Sequence, residues 1–295
     1  MPKRNAKPQT SEGYYRPTTL AEALELLRRP DLAAIPLAGG GEAITGRVRG
    51  RALASQPQVP AVIDLSALGL DVIELSEDEL RLGPMVTLQA LVESSEVQGV
   101  AGGLMSRAAG LTAPRQVRNQ ATLGGTLLGE SAAHADLACA LLALNADLVI
   151  APEVEQREAV PLETFYTGGH LERELLVEVV IACPPPGTRS ALHRIGRTPA
   201  DQPLLEVAGV GRCQDGRIEM IHLAASGAGP RPVRLRGVEQ ALQGVPVNSE
   251  AFEAAVRLAP EGLTLPDDFR ASAEYRAAML PVLVTRVLHD LCPQD

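Results

Sequence analysis

The sequence predicts a mixed helix-and-strand protein in two domains, and three observations predict it. The chain has 295 residues, a length that suits two domains of ~150 residues. Short apolar runs of strand length alternate with segments whose leucines recur at helical spacing. Pro184-Pro185-Pro186-Gly187 interrupts the chain past its middle. Three consecutive prolines continue neither a helix nor a central strand, so the boundary between domains falls there.

Each element has its own signal. Residues 1–13 read as a polar, disordered lead-in; Lys3, Arg4 and Lys7 precede no apolar stretch, which excludes a secretory signal. Thr19 and Glu22 form a capping-box pattern, with Leu20, Leu24 and Leu27 on one helical face behind it. A strand over 35–38 runs into Gly39-Gly40-Gly41. Strands are expected over 62–65, 72–75 and 80–82, the last two around an acidic turn at Glu77-Asp78. Thr87 caps a short helix over 88–92, and another helix covers 104–109. A second glycine turn follows at Thr122-Leu123-Gly124-Gly125. Asp136 stands just before a helix carrying Leu137, Leu141 and Leu144, and a strand covers 148–150. Past the prolines, segments 205–213 and 217–225 flank Asp215-Gly216, a strong hairpin signal. Helices follow at about 237–243 and 249–258, then a long one over 272–291 with Pro281 inside it.

Composition excludes several functions. Hydrophobic residues are 45% of the chain, enough for a real core, yet aromatics are only 2%, with no Trp. Platforms that stack bases need exposed aromatics. A net charge of −9 gives no pull toward DNA or an anionic membrane. Cys139, Cys183, Cys213 and Cys292 contain no CxxC. They suggest neither a zinc ribbon nor an iron–sulfur cluster on this chain, nor a disulfide framework. His134, His170, His193, His222 and His289 lack metal-ligand spacing, and there is no GxSxG nucleophile motif. The longest apolar run, 137–144, falls short of the ~20 residues of a membrane helix. The expectation is a cytoplasmic protein with no metal of its own, no nucleic acid and no membrane.

Three places could carry chemistry. Ala38-Gly39-Gly40-Gly41-Glu42 is either a tight turn that needs φ > 0 or a nest of N–H groups open to a phosphate. The spacing from Gly41 to Val48 is that of a P-loop, but Arg47 replaces its lysine and Val48 its hydroxyl, which argues against a nucleoside triphosphatase. Thr122, Gly124, Gly125 and Thr126 make the second glycine segment. Two such segments, each after apolar sequence, suit a long phosphate-bearing ligand gripped from two sides. Asp136 is either a helix cap or an acceptor for ligand hydroxyls.

The order of motifs resembles the FAD-binding middle subunit of the molybdenum hydroxylases, the xanthine dehydrogenase and carbon monoxide dehydrogenase type. Tyr15-Arg-Pro-Thr-Thr-Leu-Ala-Glu-Ala-Leu24 is similar to that family's opening, and Leu37-Ala-Gly-Gly40 to its first flavin loop. Val62-Ile-Asp-Leu65 and Leu82-Gly-Pro-Met-Val-Thr-Leu88 resemble its strand signatures. Val117-Arg-Asn-Gln-Ala-Thr-Leu-Gly-Gly125 looks like "I-R-N-x-G-T-I-G-G", and the segment from Asp136 to Leu144 like "D-L-x-P-A-L-L-A-L". Arg194-Ile-Gly-Arg197, Arg231-Pro-Val-Arg234 and the segment from Asp268 to Arg276 continue the match.

That resemblance implies an α+β fold. Two subdomains (14–60 and 61–183) form an FAD-binding domain, followed at 188–292 by a small domain with a three-stranded antiparallel sheet and helices. It implies an oxidoreductase subunit whose FAD takes electrons from a [2Fe-2S] small subunit, alongside a molybdopterin-binding large subunit, and passes them to an external acceptor. No residue of this chain is catalytic in that scheme. Ala38, Gly39, Gly40, Gly41 and Glu42 would hold the pyrophosphate side of FAD. Thr122, Gly124, Gly125 and Thr126 would form the second phosphate loop, Asp136 would accept from the flavin's sugar-like chain, and Arg194 stands where a family lysine approaches the flavin. The chain departs from the pattern at Gly41 (usually Thr), at Thr126 (usually Asn) and by the added charge of Glu130. The alternative reading is a member that has lost FAD and serves as a scaffold or assembly subunit.

Overall fold

The computed structural model describes residues 13–32, 34–41, 61–129, 135–169, 171–198, 201–247 and 249–293. Glu42, Arg47, Val48, Glu130, His134, His170 and the lead-in up to residue 12 lie outside the described residues.

A small parallel sheet opens the chain. Strand β1 (Tyr14–Tyr15) leads to helix α1 (Leu20–Arg28), then to β2 (Ala34–Leu37) and β3 (Ala61–Asp64). The strand order is β1-β3-β2, so one sheet joins segments on both sides of residue 60. Thr19 caps α1 by accepting the Glu22 N–H at 3.3 Å, while the Glu22 carboxylate reaches back to the Thr18 N–H at 3.1 Å. The forward bond is that of a capping box; the return bond goes to the Thr18 N–H, one residue ahead of the N-cap.

The second sheet is antiparallel. After β4 (Ile73–Leu75) and β5 (Glu79–Leu82) come α2 (Leu88–Glu93), α3 (Leu104–Thr112), α4 (Leu123–Leu128) and α5 (Ala135–Ala143). Then β6 (Asp147–Ala151), β7 (Glu158–Pro161), α6 (Leu162–Gly168) and β8 (Leu175–Ala182) complete it in the order β4-β5-β8-β6-β7. Two sequence expectations change here. Gly124 and Gly125 belong to the first turn of α4 rather than to a free turn. Thr122 caps that helix through Gly125 N–H, and a Cβ at Gly124 would stand 2.8 Å from the Pro84 Cβ, so the bare residue lets the helix start lie against Pro84. Asp136 is likewise inside the first turn of α5 rather than ahead of it, where its charge complements the helix N-terminus.

The remainder is a helix-backed sheet. Strands β9 (Arg189–Ile195), β10 (Leu205–Gln214), β11 (Arg217–Ser226) and β12 (Val233–Arg234) are followed by α7 (Arg236–Leu242), α8 (Glu250–Arg257) and α9 (Ala273–Leu291). The expected three strands are four, in the order β12-β11-β10-β9; the fourth is a two-residue addition opposite Ala224 and Ala225, too short to leave a period-2 pattern. Asp215 and Gly216 both take positive φ, 50° and 70°, as a two-residue hairpin turn demands. Helix α9 runs unbroken past Pro281, whose carbonyl accepts from the Thr285 hydroxyl at 2.9 Å. Helix α9 covers one face of this sheet and α5, from the first half of the chain, covers the other. That explains why β10 is buried on both faces from Leu205 to Gly211, and why α5 is apolar and buried on every side. Cys213 and Cys292 form one disulfide between β10 and the end of α9, with Cα atoms 5.7 Å apart. Their separation of 79 residues gives no sequence sign of it. Among the described residues no helix is long and apolar enough to cross a membrane.

Candidate functional site

The two glycine segments lie back to back. A Cβ at Gly39 would overlap the carbonyl oxygen of Gln120 and sit 3.1 Å from the Ala121 Cα, so only glycine lets the end of β2 rest on the backbone that leads into α4. That backbone is itself fixed. Leu88 N–H donates to Ala121 O at 2.9 Å, Leu123 N–H to Val86 O at 2.8 Å, and Gly124 N–H to Pro84 O at 2.8 Å. Gly40 takes φ +76°, a conformation that L side chains adopt at a penalty. The N–H groups of Gly39 and Gly40 have no acceptor among the described residues.

These segments wall a cavity of about 480 Å³. Ala38, Gly39, Gly40 and Gly41 form one side, and Thr122, Gly124, Gly125 and Thr126 the other. Leu27, Leu65, Met85, Leu171 and Leu175 supply its apolar depth, and Arg231 reaches it from the second half of the chain. An apolar cleft of this size with a few convergent polar groups is what a cofactor site requires. Thr126, where the family pattern has Asn, is 2% exposed and spends its hydroxyl on Thr122 O at 2.8 Å.

Asp136 and Arg194 are brought together, but not at that cavity. Arg194 Nη1 lies 3.0 Å from Asp136 Oδ1, with the two side chains 13% and 2% exposed. The pair has ion-pair distance without ordinary hydrogen-bond angles. Arg194 also donates to the Asp201 carbonyl. Directly across the strand pair, β10 places Glu206 opposite Arg194. Glu206 is fully buried, and neither of its oxygens has a hydrogen-bond partner among the described residues. Burial first, then the adjacent Asp136 carboxylate, push the Glu206 carboxyl well above the usual range, against the opposing pull of Arg194. Glu206 is therefore a carboxyl that burial favours in its neutral form, beside the Asp136–Arg194 pair.

Glu206 was not singled out from sequence. Its signal is a glutamate inside Leu205-Glu206-Val207-Ala208, where the neighbours read as a buried strand. Arg231 was also missed as a site residue. It stacks over the Tyr166 ring at 5.2 Å and has no hydrogen bond or ion pair among the described residues. Two of the histidines have other occupations: His193 meets Asp290 at 2.8 Å, and His222 lies beside Asn145. Among the described residues no group of three or more His, Cys, Asp or Glu side chains could hold a metal ion.

Comparison with known proteins gives the family. Residues 8–184 match the family described as the FAD binding domain in molybdopterin dehydrogenase, and residues 190–291 the CO dehydrogenase flavoprotein C-terminal domain. The chain is 32% identical over 284 residues to the nicotine 6-hydroxylase medium subunit of Paenarthrobacter nicotinovorans, covering 93% of this chain and 95% of that one. It is 28% identical to the xanthine dehydrogenase FAD-binding subunit of Escherichia coli O157:H7, covering 94% of each. In three dimensions it is similar to a chain of carbon monoxide dehydrogenase from Hydrogenophaga pseudoflava, with a TM-score of 0.84 at 27% identity, over 97% of this chain and 98% of that one.

Proposed function

The chain belongs to the family of FAD-binding medium subunits of the molybdopterin dehydrogenases, and on that premise we propose that it is the electron-transfer flavoprotein of such a complex. The observation that carries this reading is the pair of glycine segments packed back to back, with Gly39 and Gly40 N–H groups that have no acceptor among the described residues at the wall of an apolar cleft. The fit to FAD rests on those donors. Free backbone N–H groups without a Cβ in front of them suit a pyrophosphate, and the leucines and Met85 suit a ring.

In this reading Gly39, Gly40 and Gly41 bind the pyrophosphate through the backbone, with Ala38 and Glu42 flanking them. Thr122 fixes the start of α4, so that Gly125 and Thr126 present their surface to the dinucleotide, while Gly124 keeps that start against Pro84. Arg231 adds a cation at the rim. Asp136 and Arg194 neutralise each other, and their part is to hold the start of α5 against β9, beside the dinucleotide rather than under its phosphates. When bound, FAD supplies redox chemistry that no side chain can. Electrons come to it from a [2Fe-2S] small subunit, itself served by a molybdopterin-binding large subunit, and leave to an external acceptor.

Reconstitution tests the scheme. The purified chain loaded with FAD should oxidise no purine, aldehyde or carbon monoxide, and its absorption near about 450 nm should persist. Adding the iron–sulfur and molybdopterin subunits with their substrate should bleach that band. Bleaching by substrate in the isolated chain would instead identify a self-contained flavin oxidase. A chain that assembles with its partners but takes up no FAD would be a scaffold.

A further inference from the structure

The cleft assigned to FAD is poor in positive charge, and its cation is not the one that the family resemblance suggests. Arg194, expected beside the flavin, is held off the cleft by Asp136 and by the Asp201 carbonyl. Among the described residues Arg231 is the only Lys or Arg that lines the cleft, and Glu172 and Glu174 line it as well.

Arg231 is half-buried and has neither a hydrogen bond nor an ion pair among the described residues. Its guanidinium lies over the Tyr166 ring, 5.2 Å from the centroid. Burial pushes the Tyr166 hydroxyl pKa up, so the ring stays a neutral support, and its O–H donates to the Leu127 carbonyl at 3.2 Å. An arginine stacked on an aromatic face keeps its N–H groups for another partner. A half-buried guanidinium with no acceptor for those groups points to one that arrives with a ligand.

The place of Arg231 decides which part of the ligand it meets. Gly39 rests on Gln120 and Ala121, ahead of α4. Tyr166 is bonded to Leu127, near the far end of that helix. The cation therefore stands at the other end of α4 from the Gly39 and Gly40 N–H groups that suit a pyrophosphate. Glu174 directly precedes Leu175, which packs with α1 and β3, and its carboxylate accepts from the Glu172 and Arg173 N–H groups. Carboxylates accept from ribose hydroxyls and from an adenine amino group, whereas a guanidinium only donates. Two electrons and one proton leave an isoalloxazine with a negative charge, and a charge beside the ring tunes its electronics.

Resting on the reading of this cleft as an FAD site, we propose that Arg231 marks its isoalloxazine end and sets the reduction potential of the bound flavin, by stabilising the negative charge that reduction brings. Glu172 and Glu174 mark the adenosine end. Arg231 then fills the place left open by Arg194, which is tied to Asp136.

The test measures the midpoint potential of the full chain loaded with FAD, against a redox dye, in the parent, Arg231→Gln and Arg231→Lys. Substitution leaves no carboxylate without its partner, so both variants should keep the parent's circular dichroism. Arg231→Gln should shift the equilibrium at least about tenfold toward oxidised flavin, which is about 30 mV for a two-electron couple. Arg231→Lys keeps the charge and should restore most of that shift. ADP carries the pyrophosphate without the ring, and it should bind the flavin-free parent and Arg231→Gln alike. A parental potential in Arg231→Gln would overturn the inference. So would weaker ADP binding in that variant, because Arg231 would then be a phosphate contact. Both results leave the FAD site itself standing, whereas a parent chain that takes up no FAD overturns the proposed function and this inference together.

Discussion

At the scale of single residues, Glu206 and Asp136 decide how the buried cluster behaves. Below the ordinary carboxylate value of 4.5, Glu206 carries a proton in both folded and unfolded chains. Above it the unfolded chain releases that proton and the folded chain keeps it, so folding stability falls as pH rises. The fall is at most about 1.4 kcal/mol per pH unit, and it continues until the buried carboxyl itself ionises. Glu206→Gln is neutral at every pH. In urea unfolding it should match the parent near about pH 4 and become progressively more stable than the parent toward neutrality; parallel curves would mean that Glu206 is charged in the fold. Asp136→Asn leaves the Arg194 guanidinium without its partner. The flavin-free chain should then lose about 3 kcal/mol in denaturant unfolding, whereas a residue that only caps a helix would lose little, since Asn caps as well as Asp. Asp136 and Arg194 were both visible as residues of interest in the sequence. Their pairing was not, because it depends on the register that sets β9 beside β10 and on the helix that crosses them, and the same register hides Glu206 among apolar neighbours.

At the scale of elements, capping chemistry is local and was readable, while glycine was ambiguous. Thr19 and Thr87 cap the helices that follow them, and Asp215-Gly216 makes the hairpin, because each signal acts within three or four residues. Gly124-Gly125 reads as a turn by propensity. It is helical because Thr122 caps it and Pro84 backs it, and the second of these contacts lies some forty positions earlier in the chain. Thr122→Ala should therefore cost about 1 kcal/mol by urea unfolding and shorten the residence time of FAD, since the cap also sets the wall of the cleft. An unchanged residence time beside lower stability would separate α4 from the dinucleotide.

For the molecule as a whole, the two halves share a core. Ala208, Val210 and Ala224 of the last sheet belong to the same buried cluster as Leu137 and Leu141 of α5. The two family matches meet at the proline run; the loan of α5 to the second sheet leaves no sign in the sequence, since an apolar helix carries no label for the surface it covers. A fragment of residues 188–292 should therefore associate or aggregate in sedimentation, while the intact chain should unfold in one transition. The central claim is that the glycine segments hold FAD through their backbone. Its most direct test is titration of the flavin-free chain with FAD, in the parent and in Gly40→Val, following flavin fluorescence. The parent should bind one FAD per chain, and Gly40→Val should bind none while retaining the parent's circular dichroism. Stoichiometric FAD binding by Gly40→Val would contradict the claim and reduce the glycine segment to a turn.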